Sequence, residues 1–313
     1  MSESKAAIYG AIASNSAIAV TKFIVAGITG SSAMLSEGIH SAVDTGNGVL
    51  LLVGTRLSER PPSEQHPFGH GKELYFWSLI VAVLIFGIGG GVSFYEGIMH
   101  VRNPVAMEDP LWSYIVLAAA GCFEGASFAI ALRQFLREAG ERPFWQALHG
   151  SKDPTTYTVM AEDAAALAGL AVAALGIYAS HRWNLPELDG VASIIIGLLL
   201  AGVAVLLVHE SRGLLIGEGI RPATAQEIRR MVREHAGIQG VSAPLSMYIG
   251  RNEVLLTMDV EFDDGTPAET VASTIVSIER EVRERFPVIR RIYIEARKLS
   301  AQSQQGRQLA PAP

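Results

Sequence analysis

The chain has 313 residues, of which 49% are hydrophobic and only 18% charged. Its mean hydropathy of +0.29 is too high for an ordinary soluble enzyme and points to a membrane protein. A net charge of −6 argues against nucleic acid as a partner, since phosphate binding needs a basic surface, and a single cysteine, Cys122, rules out a disulfide framework or a cysteine-based zinc finger.

Six apolar runs each reach crossing length: residues 6–28, 32–56, 74–99, 111–134, 155–180 and 188–208. The first lacks the strongly basic leader and short apolar core of a cleavable signal, and is expected to stay in the mature protein. In the short connections Lys5, Arg56, Arg60, Lys72, Arg133, Arg137, Arg142 and Lys152 fall on one side, against Arg102 and Arg182 on the other. The positive-inside rule then places both termini in the cytoplasm. Within the third run, the Gly87–Gly91 stretch predicts a bend or close helix packing; the membrane setting argues against a nucleotide-binding loop there.

Residues 1–208 are expected to form a six-span transmembrane domain, residues 209–299 a cytoplasmic α+β domain of ferredoxin-like type, and residues 300–313 a disordered tail rich in Gln, Ala and Pro. In the second domain, Thr224 with Glu227 predicts a capping box for a helix ending near Ala236, and Thr266, Pro267 and Glu269 another for a helix ending near Phe286. Between them Leu256, Met258, Val260 and Phe262 alternate with Thr257, Asp259 and Glu261 after a Gly250-Arg251-Asn252 turn, the pattern of a half-buried strand. With a last strand near Arg291 to Ala296, the order reads helix, strand, strand, helix, strand.

Ionisable side chains inside spans cost about 2.5 to 3.5 kcal/mol on insertion scales, so those present face a cavity or one another. His40 and Asp44, four residues apart in the second span, share a helical face, a spacing that suits one metal ion. Glu124 lies in the fourth span and Glu162 and Asp163 in the fifth; Lys22 is the one basic residue deep in a span. Helix rise puts Asp44 and Glu124 at similar depth, roughly 18 to 20 Å from the outer ends of their helices, with Asp163 somewhat nearer the cytoplasm. Against a metal site stands a structural alternative, in which Glu124 satisfies Lys22 as a buried pair and His40 and Asp44 hydrogen-bond across helices. The loop His66-Pro67-Phe68-Gly69-His70-Gly71-Lys72 offers two further imidazoles four residues apart. Its alternative is an interfacial turn anchored at headgroup level by Phe68 and Lys72.

The run Ser36-Glu37-Gly38-Ile39-His40-Ser41-Ala42-Val43-Asp44, followed by the His66 to Lys72 loop, resembles the cation diffusion facilitator family over residues 6–297. The resemblance implies a homodimeric exporter that exchanges a divalent metal, zinc above all, for protons. It carries the transport site onto His40, Asp44 and Asp163. Typical zinc members have a fourth ligand, a histidine, four residues before that Asp; here the position is Val159, as in a subgroup lacking that histidine. Glu162 and Asp163 lie about 100° apart around the helix, so both cannot point equally into one site, and either Glu162 or Glu124 completes the shell. The family's loop site keeps His66 and His70, but Ser63 replaces an Asp, with Glu64 adjacent, which weakens or reshapes it. His235 is the only histidine between residues 221 and 297, where relatives often carry several.

Metal ligands must be deprotonated, so protons and metal compete for one site, and His40 is the natural proton carrier near neutral pH. A site with one imidazole is richer in oxygen than one with two, which brings manganese and iron(II) into contention beside zinc. The expected partners are the metal, protons, the lipid bilayer and a second copy of the chain. The metal is cargo; no prosthetic group and no enzymatic activity are expected, there being no nucleophile triad. In a bacterium the location is the inner membrane. Other readings are a transport-inactive scaffold or metal sensor, or a centre that binds only protons or sodium.

Overall fold

The computed structural model describes residues 2–105, 110–140 and 154–298. The chain divides into two compact units, residues 1–57 with 73–212, and residues 58–72 with 213–313. The expected disordered tail, residues 300–313, lies outside the described residues.

The first unit is helical. In chain order it holds α1 (Ser2–Thr29), α2 (Ser32–Ser58), α3 (Glu73–Leu84), a π-helical turn (Ile85–Gly90), α4 (Gly91–Arg102), α5 (Leu111–Ala139), α6 (Pro154–Trp183) and α7 (Glu187–Ile216). Since α3, the π turn and α4 run on without a break, these are six long rods at the six apolar runs. Among the described residues, four stretches are long and apolar enough to cross a membrane: Glu73–Arg102, Leu111–Arg137, Met160–Trp183 and Glu187–Ile216. The apolar stretch of α1, Asn15–Thr29, is shorter, and α2 is diluted by Glu37, His40, Asp44 and Asn47. Those polar residues are what α2 brings to the interior.

The turn between α1 and α2 is two residues long, and Gly30 takes it with φ of +70°, a conformation that side chains with a Cβ disfavour. The freed N–H groups at the start of α2 are met from another helix. Asp189 of α7, wholly buried, accepts from Ser32 N at 2.5 Å, Ala33 N at 3.2 Å and Ser31 Oγ at 2.8 Å. An anionic cap on a helix N-terminus satisfies both its orphan donors and its dipole, and here it ties α2 to α7. Of the two features expected of it, the glycine-rich run shows close packing, since a Cβ on Gly90 would fall 3.1 Å from the Gly197 carbonyl oxygen of α7. Its π turn widens the helix, and the backbones of α4 and α7 touch: a Cβ on Gly97 would fall 2.7 Å from the Gly190 carbonyl oxygen, and one on Gly197 2.7 Å from Phe94 N. Apolar side chains fill the remaining interior, among them Met34, Val81, Ile85, Ala173, Ile177, Ile196 and Leu200.

The second unit is a small α+β domain: α8 (Pro222–Arg233), β1 (Ile238–Val241), β2 (Leu245–Gly250), β3 (Glu253–Phe262), α9 (Ala268–Arg285) and β4 (Ile289–Ala296). β3 is central. It pairs antiparallel with β2 over residues 253–257 and with β1 over residues 260–262, and parallel with β4 on its other edge. β1 and β2 thus form one edge strand broken at residues 242–244, where Pro244 has no N–H to give a ladder. The break is bridged by Ser242, whose N–H donates to Asp259 O and whose Oγ accepts from Asp259 N, both at 2.9 Å. Counting that strand once restores the order helix, strand, strand, helix, strand. Alternate residues of β3, Val254, Leu256, Met258 and Val260, face Ile228, Val232, Ile278 and Val282 of the helices in one core.

Neither expected capping box forms. Pro222 occupies the first position of α8, so the helix opens two residues before Thr224, and Glu227 pairs with Arg285 of α9 instead. At α9, Pro267 is the cap, and the Thr266 hydroxyl turns back to Asp263 O at 2.7 Å.

Candidate metal site

The acidic side chains of the spans surround one cavity of about 320 Å³ inside the helical unit. α2 lines it with Ser41, Asp44, Thr45, Gly48 and Leu51, which lie on one helical face; α6 contributes Glu162, Asp163 and Ala166, and α5 Phe123, Glu124 and Ser127. Glu162 and Asp163 both line the cavity. Their 100° separation is taken up by different neighbours. Glu162 leans to α2, where Asn47 Nδ2 donates to its Oε1 at 3.0 Å, while Asp163 leans to α5 and accepts from Ser127 Oγ at 3.0 Å.

His40 is not on the cavity wall. It lies buried behind Asp44, with Nε2 3.5 Å from Asp44 Oδ2, too poor a geometry for a hydrogen bond, and neither ring nitrogen has another partner. Asp44 Oδ1, Asn47 Oδ1 and Glu124 Oε2 are likewise buried without hydrogen-bond partners. Buried polar atoms are satisfied almost everywhere in proteins, so this concentration of orphan lone pairs marks a candidate site for a cation or protons. Among the described residues, no three His, Cys, Asp or Glu side chains already stand together at metal-binding spacing. The ligand atoms flank the cavity, and a divalent ion with hard oxygen donors at 2.0 to 2.2 Å, as for zinc carboxylates, requires side chains to close on it.

Lys22 of α1 is buried next to Ser41 and Glu124, which line the cavity. Its ammonium contacts Glu37 Oε2 at 3.0 Å, Ser41 Oγ at 2.8 Å and Glu124 Oε1 at 3.2 Å, with Lys22 and Glu37 wholly buried. The Lys22–Glu124 pair of the structural alternative is therefore present, and Glu124 also presents its other oxygen to the cavity. Glu37 and Asn47 were not singled out by sequence. The signal was there in the i, i+3, i+7 and i+10 spacing of Glu37, His40, Asp44 and Asn47 along α2.

Residues 8–216 match the family model of the cation efflux transmembrane domain. The chain belongs to the cation diffusion facilitator family. This member is 33% identical over 237 residues to the proton-coupled zinc antiporter SLC30A9, mitochondrial, of Xenopus laevis, an alignment covering 75% of the chain but 42% of that protein. It is 29% identical to metal tolerance protein C4 of Arabidopsis thaliana, over 83% of the chain and 57% of that protein. With the cation-efflux pump FieF of Escherichia coli O1:K1 / APEC it shares 27% identity over 89% of the chain and 91% of the pump. The chain thus spans less than half the length of the first of these relatives. Family membership and the four apolar stretches make it an integral membrane protein.

In this family member the loop histidines belong to the second unit. The His66 and His70 rings lie 4.5 Å apart, and His70 Nδ1 is buried without a partner. Ser63, in place of an acid, builds the turn: its Oγ accepts from His66 N at 3.2 Å. Phe68 lies 5.7 Å from the Arg291 guanidinium, and Lys72 donates to Leu215 O at 3.4 Å. Both anchors thus hold the loop to its own unit. His235 is engaged between helices, with Nε2 3.3 Å from Glu281 Oε2.

Proposed function

We propose that this protein exports divalent metal cations from the cytoplasm in exchange for protons, with zinc the first candidate cargo and manganese and iron(II) the alternatives. The observation that carries the reading is the cavity among membrane-length helices, lined by Asp44, Glu124, Glu162 and Asp163, with His40 behind Asp44. Relatives named as a proton-coupled zinc antiporter and a cation-efflux pump support it. Asp44, Asp163 and Glu162 supply oxygen and His40 nitrogen; Glu124 lines the same cavity. Asn47 positions Glu162 by donating to it, which leaves the charge of the carboxylate intact for the ion.

Metal release needs no separate machinery. Each ligand binds metal only when deprotonated, so protons entering from outside displace the ion and neutralise the vacated side chains. The excess of basic residues in one set of loops supports both termini in the cytoplasm, and in a bacterium the inner membrane as the location. The α+β unit is assigned the homodimer contact, and His66 and His70 a secondary, weaker metal site. Isothermal titration of zinc into the purified protein tests the assignment. Asp44→Asn and Glu162→Gln are each expected to weaken binding by at least about tenfold, the scale of losing one charged ligand contact. Unchanged affinity in both would contradict it.

A further inference from the structure

We propose that Lys22 determines which divalent ion the cavity prefers, by holding one oxygen of Glu124, Oε1, out of the ion's coordination shell. The inference rests on the cavity being the transport site and adds a residue that binds no metal. Lys22 is the only Lys or Arg fully buried among the described residues. An ammonium has three N–H donors and no acceptor, and its contacts to Glu37, Ser41 and Glu124 use all three.

The four cavity carboxylates are consequently not equivalent. Glu162 is held by a neutral amide and Asp163 by a neutral hydroxyl, so neither is shared with a fixed positive charge. Glu124 alone is shared with a fixed positive charge. Drawing Oε1 onto an ion as well as the free Oε2 would strip a buried ammonium of one of its two carboxylates and leave a donor unpaired, a costly exchange in a desolvated site. The socket also resists rearrangement from its far side, because Glu37 abuts α6: a Cβ on Gly169 would fall 2.5 Å from Glu37 Oε1. With Glu124 Oε1 retained by Lys22, the ion meets one imidazole, three free carboxylates and a single oxygen of Glu124. Releasing Oε1 completes the fourth carboxylate, and the richer oxygen shell shifts preference from zinc toward the harder manganese ion.

The test is titration of Zn²⁺ and of Mn²⁺ into the purified full-length protein in detergent. Glu124→Gln alone is expected to weaken either affinity clearly less than Asp44→Asn does, because only Oε2 is free toward the cavity. Lys22→Met combined with Glu37→Gln, which neutralises the socket as a pair, is expected to shift the manganese-to-zinc affinity ratio about tenfold toward manganese, and adding Glu124→Gln to restore it. A Glu124→Gln loss as large as that of Asp44→Asn, or an unchanged ion ratio in the Lys22/Glu37 variant, overturns the inference. If the Lys22/Glu37 variant does not fold, the single Glu124→Gln measurement decides. Zinc binding that is indifferent to Asp44→Asn overturns the transport-site reading itself, a result distinct from either of these.

Discussion

Asp44 and Asp189 are both carboxylates inside the helical unit, and hydrogen-bond accounting separates their tasks. Asp189 has both oxygens occupied by donors at the start of α2, whereas Asp44 keeps Oδ1 buried and unpartnered. The first is a structural cap, and Asp189→Asn, which turns an amide N–H toward backbone donors, is expected to cost about 1.5 to 3 kcal/mol, the range for hydrogen bonds to charged groups. Thermal unfolding in detergent measures it. The second is the proposed ligand, held ready at a cost in stability, so Asp44→Asn is expected to leave the unfolding midpoint unchanged or raised while zinc binding is lost. Asn47→Leu belongs with the second class: without its donor, Glu162 is no longer oriented, and zinc affinity is expected to fall about tenfold, since one charge-assisted hydrogen bond is removed. A fall in stability with full affinity would show that Asn47 only packs.

At the scale of elements, what could be read from sequence follows from how local each signal is. A crossing helix announces itself as an apolar run of lipid length, so the six rods and their order were legible, and so was the close packing at Gly87–Gly91. β3 was legible because one face is buried and the other wet, which forces alternation along Leu256 to Glu261. β1, with four residues broken from β2 at Pro244, is too short for a period. The capping boxes misled because Pro222 and Pro267, with φ already fixed, took the helix starts ahead of the threonines. His40, Asp44, Glu124, Glu162 and Asp163 were legible as costly charges in spans; Asn47 and Ser127 are neutral, and only tertiary packing shows what they hold. The family resemblance supplied the metal, which no spacing alone specifies. Glycine contacts yield their own test. Gly97→Leu drives a side chain into the α7 backbone at Gly190, and overpacking of this kind is expected to lower helical-unit stability by about 1 to 3 kcal/mol. An unaltered unfolding midpoint would mean that α4 and α7 are not packed at that crossing.

For the whole molecule, the account joins an acidic cavity within the membrane to a proton gradient across it. Zinc affinity is expected to weaken steadily between about pH 8 and about pH 6, because each ligand proton competes with the ion, with a tenfold loss per pH unit for each proton displaced. The measurement that bears most directly on the central claim is zinc uptake into proteoliposomes under an imposed pH gradient, comparing the native chain with Asp44→Asn and repeating with manganese and iron(II). The account predicts uptake that collapses when the gradient is removed and is absent in Asp44→Asn. Uptake that persists without the gradient, or survives loss of Asp44, or no uptake of any of these ions by correctly folded protein, would contradict it.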